Sequence, residues 1–253
     1  MAETTTGAEL LAIAADAWGY AEAEQLDGWQ LRAAGGFTSR ANCAWPLGPL
    51  NRPLPDATAA VRAWYAARGL SAHVQVVAGS ELDLALAALG HTGVKRASLR
   101  KAAKVEEVLA LLLNVAPPGV KEAFSNEPTD DWLTVYRTTE TAQLAPVVRQ
   151  VLGSGSTVQY ATVYDSDTGE PVAVGRAALC PDRWVGLAAI EVVPAARRRG
   201  LAKLVIDALL DWAADQGASD AFLEVAPENV PAVRLYESLG FTTRHTYHYR
   251  AVS

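Results

Sequence analysis

Apolar positions recur every three to four residues over 9–21, 57–68, 81–89, 141–152, 201–216 and 231–239, and that period predicts helices. Leu204, Ala208 and Trp212 stand four apart in the fifth of these, so they share one face. Gly69, Gly90, Gly217 and Gly240 follow four of the six segments, where a residue tolerant of positive φ ends a helix well. Asn229 precedes the last helix as a candidate N-cap. Strands are predicted over 29–33, 38–45, 72–77, 132–137, 158–164, 171–178, 187–193, 221–225 and 242–250. The run 187–193 is almost continuously apolar, as a strand covered on both faces should be. Strands alternating with helices indicate an α/β or α+β fold around a mixed central sheet.

Breaks divide this pattern. A Gly35-Gly36 turn separates the first two strands, and Asp165-Ser-Asp-Thr-Gly169 closes a hairpin between 158–164 and 171–178. The sharpest change in composition lies at Ala116-Pro-Pro-Gly119 and Asn126-Glu-Pro-Thr-Asp-Asp131. It suggests an N-terminal unit over 1–118, a linker over 119–131 and a C-terminal unit over 132–253. The two units carry a faint internal echo. Ser80 to Thr92 resembles Val230 to Thr242, each a short helix ending in Leu-Gly, a ring and Thr. Pro46 precedes Gly90 by 44 positions and Pro194 precedes Gly240 by 46. A degenerate tandem repeat is one reading; chance similarity of helix-stop-strand junctions is the other.

Half of the 253 residues are hydrophobic, enough for a packed core, and the formal net charge is −6. An acidic balance argues against a nucleic-acid partner, since phosphate backbones need a basic face. Cys43 and Cys180 are too few for a disulfide framework or a four-cysteine zinc site, and both read as buried reduced thiols; no metal is expected. No segment reads as a signal peptide or a membrane span, so a cytoplasmic monomer or homodimer without membrane partners is expected.

Candidate chemistry gathers where the strand 187–193 runs through Pro194 into Ala-Ala-Arg-Arg-Arg-Gly-Leu-Ala202 and then a helix. The first turn of a helix leaves backbone N–H groups unbonded, and with the dipole they suit a pyrophosphate. Gly200 permits close approach, small Ala202 leaves room, and Arg197, Arg198 and Arg199 add charge. No Gly-x-x-x-x-Gly-Lys-Ser/Thr occurs, and Gly153-Ser-Gly-Ser-Thr-Val158 lacks a third glycine and leads into a strand, so it reads as a turn.

Residues 190–203 resemble the acetyl-CoA motif of the GNAT superfamily, Arg/Gln-x-x-Gly-x-Gly/Ala, with Arg197, Gly200 and Ala202 in its fixed positions. The resemblance covers roughly 132–250. It implies a GNAT fold in which the backbone around Ile190, Val192 and Val193 pairs with the pantetheine arm. Arg198, Arg199, Gly200, Leu201, Ala202 and Lys203 would wrap the pyrophosphate. Leu223 to Phe241 is similar to a segment of the ribosomal-protein alanine N-acetyltransferases. That likeness implies Glu224 as general base, Tyr236 as the acid that protonates the departing thiolate, and Asn229 beside the cofactor. Burial in an apolar strand should raise the Glu224 carboxyl, as a base working near neutrality requires. Glu191, or a water, is the alternative base. Tyr236 matches Leu86 in the first copy, which has no proton to give.

Among the histidines, His73 and His91 read as structural, and His245 and His248 as strand residues that could edge the acceptor site. Those relatives are single-domain proteins, whereas this chain carries a further unit; Gly28 to Asn42 resembles a group of two-unit bacterial GNAT proteins. The expectation is therefore an acetyl-CoA-dependent N-acetyltransferase acting on a primary amine of a small molecule, peptide or protein by direct attack. The competing reading is a sensor or interaction module that binds acetyl-CoA without turnover.

Overall fold

A computed structural model describes residues 6–112, 117–136, 145–153 and 157–252, the side chains of 95–97 and 145 excepted. The chain opens with α1 (Gly7–Asp16), closed at its start by a capping box in which Thr6 accepts from Glu9 N and Glu9 accepts from Thr6 N. There follow β1 (Glu22–Leu26), β2 (Trp29–Ala33), β3 (Ala44–Pro46), α2 (Leu54–Ala66), β4 (His73–Val77), α3 (Glu81–Ala88), β5 (Gly93–Lys104) and α4 (Val105–Leu112). The remainder comprises β6 (Val120–Ser125), α5 (Asp130–Val135), α6 (Ala145–Gly153), β7 (Val158–Asp165), β8 (Pro171–Cys180), β9 (Trp184–Val192), α7 (Leu201–Asp215), β10 (Asp220–Val225), α8 (Val230–Ser238) and β11 (Thr242–Ala251).

Among the described residues, eleven strands form one mixed sheet in the order β1-β2-β3-β4-β11-β5-β10-β9-β8-β7-β6. Each half contains a parallel pair joined through a helix, β3 with β4 and β9 with β10. The strands that follow are exchanged. β5 of the first half pairs antiparallel with β10 of the second, β11 of the second pairs antiparallel with β4 of the first, and β5 and β11 meet at the centre. Helix α1 is shared too: its Leu10, Ile13 and Ala14 join a core with Trp132, Tyr160, Val174 and Phe222 from the second half. Gly186 of β9 makes this approach possible, because a Cβ there would lie 2.8 Å from both the Ala17 Cβ and the Phe222 ring. On the other face α7 buries Leu204, Val205, Leu209 and Leu210.

Several expectations need correction. The segment 119–131, expected as a linker, contains β6, which pairs along its length with β7. Of 132–137, expected as a strand, 132–135 lie in α5 and 137 is outside the described residues; Thr129 accepts from Trp132 N at 3.2 Å and two aspartates occupy the first turn, which favours a helix start. Of 38–45 only the end is strand. Positive φ at Gly35, Gly36 and Thr38 turns the chain, and Asn42 accepts from Ala34 N and Gly36 N while donating to Phe37 O and Thr38 O. The start of the helix expected over 141–152 lies outside the described residues. Strands β1, β5 and β6 and helix α4 were not anticipated.

Candidate active site

The parallel pairing of β9 with β10 runs from Trp184 opposite Asp220 to Leu187 opposite Leu223, and then stops. A bulge in β9 accounts for the divergence. Between Val174–Glu191 and Arg176–Ala188 the β8 strand advances two residues and β9 three, and Ala189 sits at φ 55°. Into the opening between the strands fits a cavity of about 280 Å³. Its walls are Leu187 to Glu191 of β9, Leu223 to Ala226 around the end of β10, and Asn229, Ala232 and Tyr236 of α8 with its cap. Trp18, Arg40 and Ser98 close it from the first half.

Beyond the end of β9, Pro194–Ala196 form one turn of 3₁₀ helix and the chain reaches α7 through Arg198 at φ 63° and Gly200 at φ 84°. Gly200 is the N-cap and offers no side-chain cap, so the first N–H groups of α7 are left for a ligand. A Cβ on Gly200 would meet no atom within 4 Å; the space over the loop is open. Arg197 Nε donates to Val192 O at 3.3 Å, and Arg199 Nη1 lies 3.1 Å from Asp165 Oδ2. Loop and helix end follow directly in the chain from the strand that walls the cavity, and the residues suit an elongated anion with an apolar arm: N–H groups and guanidinium groups at one end, a strand edge along the middle. Among the described residues no group of three or more His, Cys, Asp or Glu is placed to hold a metal ion.

The cavity brings Glu224, Tyr236, Asn229 and Glu191 together. Tyr236 is 8% exposed and stacks edge-on to Phe241 at 6.1 Å. Burial pushes its phenol up to about 12, so it keeps its proton throughout the physiological range. Asn229 caps α8 by accepting from Ala232 N at 3.3 Å.

Glu224 departs from expectation. Arg100 Nε donates to Oε1 at 2.9 Å with Nη2 also engaged, and Oε2 accepts from Tyr247 Oη at 2.9 Å and lies 3.0 Å from Arg40 Nε. Burial by itself would raise the carboxyl, but the charges of Arg100 and Arg40 and the hydrogen bonds override it and hold the group at about 2. The expected elevation is reversed because β5 and the 34–43 loop deliver two cations that the local sequence of β10 does not announce. Arg100 also donates from Nη1 to His245 Nε2 at 2.9 Å, which puts the imidazole proton on Nδ1, a buried atom without a hydrogen-bond partner among the described residues. Burial and the Arg100 charge lower His245 to about 4, with Glu224 opposing. His248 faces Asp83 at 3.0 Å, away from the cavity lining, and His73 and His91 are also absent from that lining.

Both groups bind protons more readily in the unfolded chain, so stability should fall as pH falls. The His245 contribution is lost from about 6.5 down to about 4, and the Glu224 contribution from about 4.5 down to about 2. Urea unfolding against pH checks this: His245→Gln should flatten the slope of the upper window only, and a variant profile that parallels wild type there would contradict the assignment.

Comparisons with known proteins identify the family and the fold. Residues 8–250 match the family described as "Probable histone acetyltransferase Rv0428c C-terminal". The probable histone acetyltransferase Rv0428c of Mycobacterium tuberculosis is 31% identical over 245 residues, covering 93% of this chain and 70% of that protein. A Bacillus subtilis protein described as the uncharacterized N-acetyltransferase YobR is 26% identical over 243 residues, covering 94% and 95%. The ribosomal protein bS18-alanine N-acetyltransferase of Escherichia coli is 28% identical over 127 residues, 49% of this chain and 85% of that one. In fold, the chain is similar to a GCN5-related N-acetyltransferase from Kribbella flavida, with TM-score 0.66, 18% identity and coverage of 96% and 92%. A tandem GNAT protein from the clavulanic acid biosynthesis pathway gives TM-score 0.68 at 14% identity, covering 83% and 75%.

Proposed function

Because the chain belongs to the GNAT N-acetyltransferases, in the family matched over 8–250, we propose that it transfers acetyl from acetyl-CoA to a primary amine in the cavity between β9 and β10. The observation that carries this reading is the continuity of the uncapped α7 terminus, the bulged β9 edge and the buried phenol of Tyr236. The pyrophosphate would rest on 198–203, with Arg198, Arg199, Gly200, Leu201, Ala202 and Lys203 around it and Arg197 behind. The pantetheine would run along Ile190, Val192 and Val193. Backbone N–H near Val192 would polarise the thioester carbonyl, which a preorganised donor does efficiently in a dry site. A neutral amine attacks, the C–N bond forms, the C–S bond breaks, and Tyr236 gives its proton to the departing sulfur.

We assign Glu224 a different part from the base that family likeness implies. A carboxylate held at about 2 by two guanidinium groups is a weak proton acceptor at neutral pH. It serves better as the anchor that fixes Arg40, Arg100 and Tyr247 around the cavity. The amine proton then leaves through water, with Glu191 as the other carboxylate on the lining. The first half reads as a degenerate copy that lost the phosphate loop and now supplies Trp18, Arg40 and Ser98 to the acceptor side. Trp18→Leu should therefore raise the acceptor KM about tenfold, the scale of a lost pocket contact, with acetyl-CoA affinity unchanged. An equal loss of affinity for both substrates would remove the acceptor-side assignment.

Thiol release from acetyl-CoA over a panel of amines, read beside mass spectrometry of the amine, tests the reaction itself. One thiol per acetylated amine is expected. Tight binding without release to any amine would leave the sensor reading in its place.

A further inference from the structure

Between the end of α1 and the strands β2 and β8 lies a second, larger cavity of about 630 Å³, lined by Asp16, Tyr20, Gln30, Arg32 and Cys180 and sharing Trp18 with the first. Arg32 is 2% exposed, and among the described residues no carboxylate forms an ion pair with it; the exposed Asp16 carboxylate acts on it only through space. Its Nε donates to Gln30 Oε1 at 2.6 Å, and its Nη1 donates to Ala15 O at 2.8 Å and Trp18 O at 3.1 Å. The carbonyls at the end of α1 carry only the partial negative charge of a helix C-terminus. A desolvated guanidinium thus retains net positive charge, which is costly unless something balances it. The rings of Tyr20 and Trp45 both lie 4.8 Å from the guanidinium carbon, so its approaches are largely covered. What stays open is Nη2, whose two N–H groups have no acceptor among the described residues, at the wall of a cavity large enough for a small molecule.

We propose that this cavity is a binding site for a small organic carboxylate, its anionic oxygens accepting from Arg32 Nη2 and its apolar body resting against Tyr20 and Leu179. An ionised acceptor on a buried guanidinium makes a strong charge-assisted hydrogen bond and supplies a counter-charge in direct contact, which the exposed Asp16 does not. A carboxylate suits better than a phosphate, because a single exposed nitrogen serves one or two oxygens and the exposed Asp16 carboxylate at the rim repels higher negative charge. The site shares the Trp18 wall with the thioester cavity but has its own charge, since Arg40 there is already engaged by Glu224.

Calorimetric titration of the full chain with benzoate, and with neutral benzamide of the same shape, tests this. Benzoate should bind at least tenfold more tightly than benzamide, and Arg32→Gln should abolish the difference. Since Arg32 also holds the end of α1, Asp16→Asn provides a variant that leaves every hydrogen bond of Arg32 intact. It should strengthen benzoate binding two- to fivefold at low salt and lose that gain at high salt. Equal binding of benzoate and benzamide, no benzoate binding at millimolar concentration, or an Asp16→Asn affinity equal to wild type would each overturn the proposal.

Discussion

Tyr236→Phe is expected to lower kcat by about 10²- to 10⁴-fold, the range over which a positioned general acid contributes, while leaving the Kd for acetyl-CoA close to wild type. Phenylalanine keeps the ring that packs against Phe241 and the buried place on α8, so the fold should tolerate the change. What disappears is a hydroxyl that burial keeps protonated, with a pKa pushed up to about 12, on the wall of the cavity. Steady-state rates paired with titration of acetyl-CoA separate the two effects. A wild-type rate in the variant would mean that another group protonates the leaving thiolate.

Gly200→Glu should weaken acetyl-CoA binding by at least about a hundredfold, which corresponds to roughly 3 kcal/mol. Two causes act together. At φ 84° an L side chain is strained, by roughly 1–2 kcal/mol, and the exposed loop relieves this by leaving the conformation that presents its N–H groups to a ligand. The space a Cβ would enter is empty of protein atoms, and a carboxylate reaching through it would stand where a pyrophosphate must lie against the α7 terminus. Thermal unfolding of the variant should move little in comparison, because the loop is exposed. Unchanged affinity by calorimetry would remove the loop assignment.

How far the sequence alone could go depends on whether each feature is written locally. The bulged strand, the arginine-glycine turn and the amphipathic α7 are contiguous in the chain, and their placement follows from period and turn chemistry. The Asn229 cap and Tyr236 are similarly local to α8. Strand β5 was hidden because its pattern follows no simple alternation: Arg100 and Lys101 are buried, and their charges are met by Glu224 and Glu237, more than a hundred positions away. The Glu224 carboxyl lies below its expected range for the same reason. An isolated glutamate in an apolar strand invites the inference of a raised pKa, but two cations from distant segments reverse it. One signal was available: a buried carboxylate in a central strand needs partners, and the basic run 95–104 is the densest source of them. The exchange of β5 and β11 between halves lies beyond such reasoning, because both strands would satisfy their hydrogen bonds within their own half as well.

The proposed coenzyme site is single per chain and lies on the second half, at the loop 197–203 and the diverging strands. Hydrogen–deuterium exchange with and without acetyl-CoA locates the site most directly. Slowed exchange is expected in 189–204 and 225–236, with 46–56, the corresponding stretch of the first half, unchanged. Protection confined to 46–56, or none in 197–203, would contradict that placement.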